Sequence, residues 1–283
     1  MIYAEVIGDP IAQSKSPTIH KFWLGKLGID ADYRAFHVTA EGLADYFAAR
    51  RSDPDWRGCN VTMPHKQAAM ALVDDLDPLA ARVAAVNTVV PGLDHLLHGS
   101  NTDVQGFLEP LKKLLAQPHL VRMARVLGAG GAARAIVAAL ADHGFTLVLA
   151  ARDPAKAREL LDELAPRGEH HTPALDYFAD PSDFAFDDRS QLFDLVVNAS
   201  PLGMAGQPPL AFDLSHAPPG SVVYDIVTHP HETLLLKDAR VAGFATIDGL
   251  SMLIGQAAAA FEMFFDEPAP RQHDAELRAL LTV

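Results

Sequence analysis

Cysteine is nearly absent from this chain: Cys59 stands alone in 283 residues. A lone thiol permits no internal disulfide and no thiolate metal cage, which fits a reducing compartment. Long hydrophobic runs are missing too; none approaches the roughly 18 apolar residues of a membrane-spanning helix. The opening, Met1-Ile2-Tyr3-Ala4-Glu5-Val6, lacks the basic start and apolar centre of a signal peptide. Positive charge is also scarce, since 36 acidic against 23 basic side chains leave a formal net charge of −13. That balance argues against nucleic acid and anionic membranes as partners, and leaves local positive potential to particular residues. A soluble cytoplasmic protein with a small-molecule partner is expected, as a monomer or homodimer.

What is present is a globular composition, 49% hydrophobic and 21% charged. The length suits about two domains of roughly 150 residues each. Thirteen histidines raise the question of a metal. The closest pairs, His170-His171 and His229-Pro230-His231, lack helical two-histidine spacing with a supporting acid, so no metal site is expected.

Strands and helices alternate along the chain. A strand over 3–8 ends at Gly8-Asp9-Pro10. Ser16-Pro17 then opens a helix with Pro17 in its first turn and Ile19, Phe22, Trp23 and Leu27 at helical spacing. A strand over 32–38, a helix over 40–51, a strand over 56–61, a helix over 66–72 and a strand over 86–90 follow. They make an α/β layer of their own. Residues 103–116 read as one helix, with Val104, Phe107, Leu108, Leu111 and Leu115 on a stripe, bridging to a second α/β alternation over 122–245. Later strands there are 146–151, 192–199 and 222–226. Residues 165–189 are polar and weakly periodic, and no element is assigned to them. A last long helix starts at Asp248-Gly249 and runs through Gln256 to about residue 265. It either caps a packed core or returns to the first domain with Gln256 facing substrate.

Three short polar clusters stand out in the first half. In Asn60-Val61-Thr62-Met63-Pro64-His65-Lys66, Pro64 stops a strand from continuing as a central ladder member. Lys66 then leaves the sheet edge beside Asn60 and Thr62. Asn87-Thr88 and Asn101-Thr102-Asp103 repeat the Asn/Thr chemistry and add a carboxylate, while Ser14-Lys15-Ser16-Pro17 supplies two hydroxyls. Taken singly, each suits a turn. Together they suit a small polyhydroxylated acid, with Lys66 and Asp103 as a proton relay.

The second half carries Arg125-Val126-Leu127-Gly128-Ala129-Gly130-Gly131-Ala132-Ala133-Arg134. A strand runs into glycines and then into an alanine-rich helix. Gly128 would allow the tight turn, Gly130 the close approach of a pyrophosphate, and Ala133 the helix–sheet packing of a dinucleotide fingerprint. A phosphate would then lie at the helix N-terminus. After the next strand come Ala151, Arg152 and Asp153, with Lys156 one turn further on. Arg152 and Lys156 suit the 2′-phosphate of NADP. Asp153 either opposes that phosphate or caps the next helix ahead of Pro154; the cap and NADP are favoured.

These motifs, with Asp248-Gly249 and Gln256, resemble in kind and order those of the shikimate dehydrogenases, over nearly the whole chain. The resemblance implies NADPH-dependent reduction of the 3-oxo group of 3-dehydroshikimate to shikimate, in aromatic amino-acid biosynthesis. It implies an α/β substrate domain over 1–103, completed by helices of 249–283, and a Rossmann-like NADP domain over 104–248. By resemblance, Lys66 and Asp103 are the catalytic pair. Ser14 and Ser16 hold the carboxylate, and Asn60, Thr62, Asn87, Asp103 and Gln256 the ring hydroxyls. Gly128, Ala129, Gly130, Gly131, Ala132, Arg152, Lys156, Ile226 and Gly249 line the cofactor.

Three departures stand against the family pattern. Ala151-Arg152-Asp153 replaces Asn-Arg-Thr, which bears on cofactor choice. Thr228 replaces a tyrosine, which shortens or removes a contact to the substrate carboxylate, and His20-Lys21 replaces His-Asn. The rival readings are an NAD-linked quinate/shikimate dehydrogenase of catabolism and a non-catalytic nucleotide-responsive regulator. Serine at both 14 and 16 favours shikimate, because quinate-active relatives tend to carry threonine at the second position.

Overall fold

A computed structural model describes residues 1–183 and 191–282. The chain forms two compact α/β units, Met1–Gly106 with Leu253–Val283, and Phe107–Met252.

The first unit opens with β1 (Ile2–Gly8), α1 (Ser16–Leu27), β2 (Ala31–His37), α2 (Leu43–Arg51) and β3 (Trp56–Val61). A 3₁₀ turn at Ala68–Leu72, β4 (Asp75–Leu76), α3 (Pro78–Val83), β5 (Thr88–Pro91) and β6 (Leu97–Ser100) follow. The strands order as β2-β1-β3-β5-β6-β4. β1 lies parallel to β2 and β3, whereas β5 runs antiparallel to both β3 and β6. Six of the seven β1 residues are buried, as befits a central strand covered on both faces. Ile7, Leu43, Phe47, Trp56 and Val89 share one core cluster. Glu5, in the middle of β1, is fully buried, and its carboxylate accepts from Arg34 Nε (3.0 Å), Arg50 Nε (2.7 Å) and the Tyr46 hydroxyl (2.8 Å).

Two expected helices are altered. In place of a helix over 66–72 there is only the 3₁₀ turn, because the Lys66 carbonyl is taken by Val86 N–H at 2.8 Å and the His65 ring is fastened to Val38 O at 2.6 Å. The single helix over 103–116 is broken into α4 (Asp103–Leu108), a 3₁₀ turn Glu109–Leu111 and α5 (Lys112–Leu115). Pro110 has no N–H to donate back one turn, so the α-helical ladder cannot pass it.

The second unit continues with β7 (Val121–Leu127), α6 (Gly131–Asp142), β8 (Thr146–Ala150), α7 (Pro154–Leu164) and β9 (Leu192–Asn198). β10 (Val222–Asp225), α8 (Leu234–Val241) and β11 (Ala245–Ile247) complete it. All pairings are parallel, in the order β11-β10-β9-β7-β8. Counted from β7 this is the 2-1-3-4-5 order of a doubly wound sheet, whose ligand crevice lies at the switch point between the first and third strands. Within the unassigned stretch 165–189, bridges from Val148 to His171 and from Ala151 to Ala174 lay the chain beside β8. Its segment 184–190 lies outside the described residues.

The chain ends in α9 (Gly249–Phe265) and α10 (Asp274–Leu281). From Leu253 onward these belong to the first unit. There Phe261 and Phe264 pack around His20, Trp23 and Tyr33. No helix among the described residues is long and apolar enough to cross a membrane.

Candidate active site

Within the first unit, Asn60, Lys66, Asn87-Thr88 and Asn101-Thr102-Asp103 meet where β3, β5 and β6 adjoin. Lys66 Nζ meets Asp103 Oδ2 at 2.5 Å, with the lysine side chain only 15% exposed. The other carboxylate oxygen, Oδ1, accepts from Asn87 Nδ2 at 2.9 Å. Asp103 opens α4, and its own N–H is held by Asn101 Oδ1 at 3.0 Å, while Asn101 Nδ2 is tied to Ala85 O at 2.9 Å. The carboxylate is therefore fixed at both oxygens and at its backbone.

Asn87 stands at the centre. Its Nδ2 also donates to Thr102 Oγ1 (2.9 Å), and its Oδ1 accepts from Thr102 N–H (2.8 Å) and the Thr88 hydroxyl (3.0 Å). Gln256 of α9 joins through Oε1, 3.4 Å from the Thr102 hydroxyl and 3.5 Å from Asn87 Nδ2. Its own Nε2 is anchored on Leu253 O at 3.0 Å. From Leu253 onward the helix belongs to the first unit, where it both packs an aromatic core through Phe261 and Phe264 and brings Gln256 to the cluster. Asn60 lies alongside, with Nδ2 donating to Thr88 Oγ1 at 3.1 Å and Oδ1 accepting from the Tyr33 hydroxyl at 2.6 Å.

Thr62 leaves β3 with its N–H on Ile7 O at 2.9 Å, and its hydroxyl makes no hydrogen bond among the described residues. Ser14 and Ser16 are brought together, the Ser14 hydroxyl accepting Ser16 N–H at 3.3 Å. Lys15 between them is occupied elsewhere, donating to Leu281 O at 2.6 Å. An ammonium paired with a carboxylate, beside amides and hydroxyls, can bind polyols and stabilise and protonate an oxyanion.

Tyr33, Thr88 and Thr102 were not assigned roles from sequence. Thr88 and Thr102 sat in the right clusters, but nothing in the pattern distinguished a bridging hydroxyl from a turn former. Tyr33 carried no signal at all, because a buried strand tyrosine reads as core.

In the second unit, Gly128 follows β7 with φ +117°, a conformation that favours glycine. A Cβ there would also stand 3.0 Å from the Ala199 carbonyl after β9, so Gly128 sits at the switch point of the sheet. Gly130 is the N-cap of α6; no side chain caps this end and no atom lies within 4 Å of where its Cβ would be. Open N–H groups at a helix start, next to a bare glycine with Ala129, Gly131 and Ala132 around it, fit a phosphate. Asp153 caps α7, accepting from Ala155 N–H at 3.0 Å. Arg152 and Lys156 are exposed and make no ion pair or hydrogen bond among the described residues. A dinucleotide fits these groups.

Ile226 and Thr228 follow β10 in this unit, so Thr228 belongs to a different unit from the serines and Lys66. Gly249 packs on the same turn: a Cβ there would lie 2.4 Å from Val227 O and 2.5 Å from Ile226 O. A buried polar set fixes that turn. Asp225 accepts from Asn198 Nδ2 (2.9 Å), the Thr233 hydroxyl (2.7 Å) and Val227 N–H (3.0 Å). Burial raises the Asp225 carboxyl above its ordinary value, against the pull of these bonds. No group of three or more histidine, cysteine, aspartate or glutamate side chains among the described residues is placed to hold a metal ion.

Comparison with known proteins bears on this geometry. Residues 6–89 match the family model "Shikimate dehydrogenase substrate binding domain", and residues 249–276 match "Shikimate 5'-dehydrogenase C-terminal domain". The chain is 52% identical over 280 residues to the shikimate dehydrogenase (NADP(+)) of Sphingopyxis alaskensis, covering 99% of this chain and 96% of that one. Among solved structures it resembles the Thermus thermophilus shikimate 5-dehydrogenase in complex with NADP(H) and shikimate, with TM-score 0.79 and 31% identity over 99% of this chain and 100% of that one. It also resembles a quinate dehydrogenase from Corynebacterium glutamicum in complex with NAD, with TM-score 0.82 and 31% identity over 99% of both chains. The chain belongs to the shikimate dehydrogenase family.

Proposed function

We propose that this chain interconverts shikimate and 3-dehydroshikimate with NADP as its coenzyme, in the cytoplasm. The observation that carries the reading is the 2.5 Å contact between Lys66 and Asp103 within a set of amides and hydroxyls suited to a polyol. The nicotinamide, when bound, accepts or supplies the hydride. In the reducing direction the substrate's carbonyl oxygen gains charge, and the Lys66 ammonium stabilises it and passes it a proton. Asp103 orients Lys66 and accepts a hydrogen bond from a substrate hydroxyl.

Ser14 and Ser16 donate hydroxyls to the substrate carboxylate, and Asn60, Thr62, Asn87 and Gln256 hold the ring hydroxyls. The assignment of Thr228 to substrate rests on the family resemblance alone. On the coenzyme side, the 128–132 turn holds pyrophosphate, Ile226 and Gly249 border the nicotinamide end, and Arg152 and Lys156 read the 2′-phosphate. Asp153 is engaged as a helix cap, which supports NADP over NAD.

Four kcat/KM values test the reading: shikimate and quinate, each with NADP and NAD. Shikimate with NADP should exceed the other three. Quinate with NAD as the best pair would transfer the chain to the catabolic reading, and no turnover with any pair would leave the regulator.

A further inference from the structure

We propose that Tyr33 is a positioning residue for this reaction, acting on Asp103 through a one-way chain of hydrogen bonds. The proposal rests on the reading above, in which Lys66 and Asp103 are the reacting pair. Tyr33 lies in β2 with no exposed surface, its ring stacked on His20 at 3.9 Å between centroids and an interplanar angle of 4°. Its polar neighbours are Ser16 and Asn60. A phenol has one proton to give, and here it goes to Asn60 Oδ1 at 2.6 Å.

That donation, together with the Asn87 carbonyl, which can only accept, settles which way the Asn60 amide points. Its NH₂ must face Thr88 Oγ1 at 3.1 Å and the Asn87 carbonyl at 3.3 Å. Thr88, accepting from Asn60, turns its single proton to Asn87 Oδ1 at 3.0 Å. This proton and the Thr102 N–H, 2.8 Å from the same oxygen, together hold Asn87 with its NH₂ toward Asp103 Oδ1 at 2.9 Å. Each link has its donor on the Tyr33 side and its acceptor on the Asp103 side, ending on the oxygen that does not hold Lys66. An amide reversed anywhere in the chain sets donor against donor or acceptor against acceptor. In buried surroundings such a mismatch costs more than the bond is worth in water. Tyr33 thus supplies the first proton of a network, itself braced by the Asn87 carbonyl and the Thr102 N–H, whose far end is the carboxylate that orients Lys66.

The test is a set of variants assayed with shikimate and NADP, each corrected for its folded fraction by circular dichroism. Tyr33→Phe keeps the ring against His20 and removes the hydroxyl, with its donation to Asn60 and its contact with Ser16. Its kcat should fall about tenfold, the worth of one buried hydrogen bond, with KM for NADP unchanged. Thr88→Val breaks the chain at its middle and should give a similar loss, which Thr88→Ser restores. The double variant Tyr33→Phe/Thr88→Val should lose no more than the worse single variant, since one chain is being cut twice. Wild-type kcat in Tyr33→Phe, or losses that multiply in the double variant, would overturn the proposal. If Tyr33→Phe folds poorly, Thr88→Val against Thr88→Ser reads the same chain, and equal activity in those two overturns it. A wild-type protein inactive on shikimate would instead overturn the functional reading, and this proposal with it.

Discussion

At the scale of single residues, the site is decided by which charges are already engaged. Lys66 is committed to Asp103 and Lys15 to a backbone carbonyl, whereas Arg152 and Lys156 are exposed without a partner among the described residues. Asp153 carries the one opposing charge at the end of β8, and its Oδ1 is turned onto Ala155 N–H. Engagement as a cap reduces its repulsion of a 2′-phosphate without removing it, so discrimination between coenzymes should be moderate. Replacing Arg152 by alanine should raise KM for NADP on the order of ten- to a hundredfold, the worth of a hydrogen bond to a charged group, and leave NAD nearly untouched. Equal losses with both coenzymes in steady-state assays would show that Arg152 does not read the phosphate.

Among the elements, β1 shows how a chemical demand can hide inside a regular strand. Its residues are buried on both faces as in an ordinary central strand, yet Glu5 at its centre holds two arginines and a tyrosine from β2 and α2. Glu5→Gln keeps the shape but leaves the Arg34 and Arg50 guanidiniums facing a neutral amide. Stability should drop by about 1.5–3 kcal/mol, the range for hydrogen bonds to a charged group, as read from urea denaturation; an unchanged midpoint would show that solvent replaces the carboxylate. Such cross-strand pairing was invisible in the sequence, where positions 5, 34, 46 and 50 are far apart. Elements with a local cause were legible: the Pro17 helix start, the strand–glycine–helix run at 121–142, and the long α9. Elements governed by distant partners were not. The 66–72 segment looked helical until Val86 claimed the Lys66 carbonyl, and the two-residue β4 exists only through its pairing with β6. The site followed the same division. Lys66, Asn87 and Asp103 announced themselves as polar residues in short motifs, while Tyr33, dispersed in sequence and buried in a strand, did not.

For the whole molecule, two buried titratable groups pull stability in opposite directions with pH. His20 is enclosed by aromatic rings, with no hydrogen bond to either ring nitrogen among the described residues, and burial lowers its pKa from 6.5 to about 3. The unfolded chain then binds a proton that the folded chain refuses, so stability is full above pH 6.5 and is lost as the pH falls toward 3. The slope approaches about 1.4 kcal/mol per pH unit within that window. Asp225, in the second unit, is raised instead, so its contribution is present below its ordinary value of 3.8 and declines as the pH rises through the window above it. Acid loss between pH 6 and 4 should therefore trace to His20 in the first unit. His20→Leu should flatten the fall of Tm over that range in calorimetry, and an unaltered fall would place the sensitive group elsewhere. The central claim, that Lys66 paired with Asp103 carries the proton in an NADP-linked reaction on shikimate, is tested most directly by comparing kcat for shikimate oxidation in the native chain and in Lys66→Ala. The account predicts rapid NADPH formation by the native chain and a kcat lower by roughly 10²–10⁴ in the variant, as for loss of a positioned acid–base group, with shikimate binding little changed. Undiminished turnover in Lys66→Ala would contradict it.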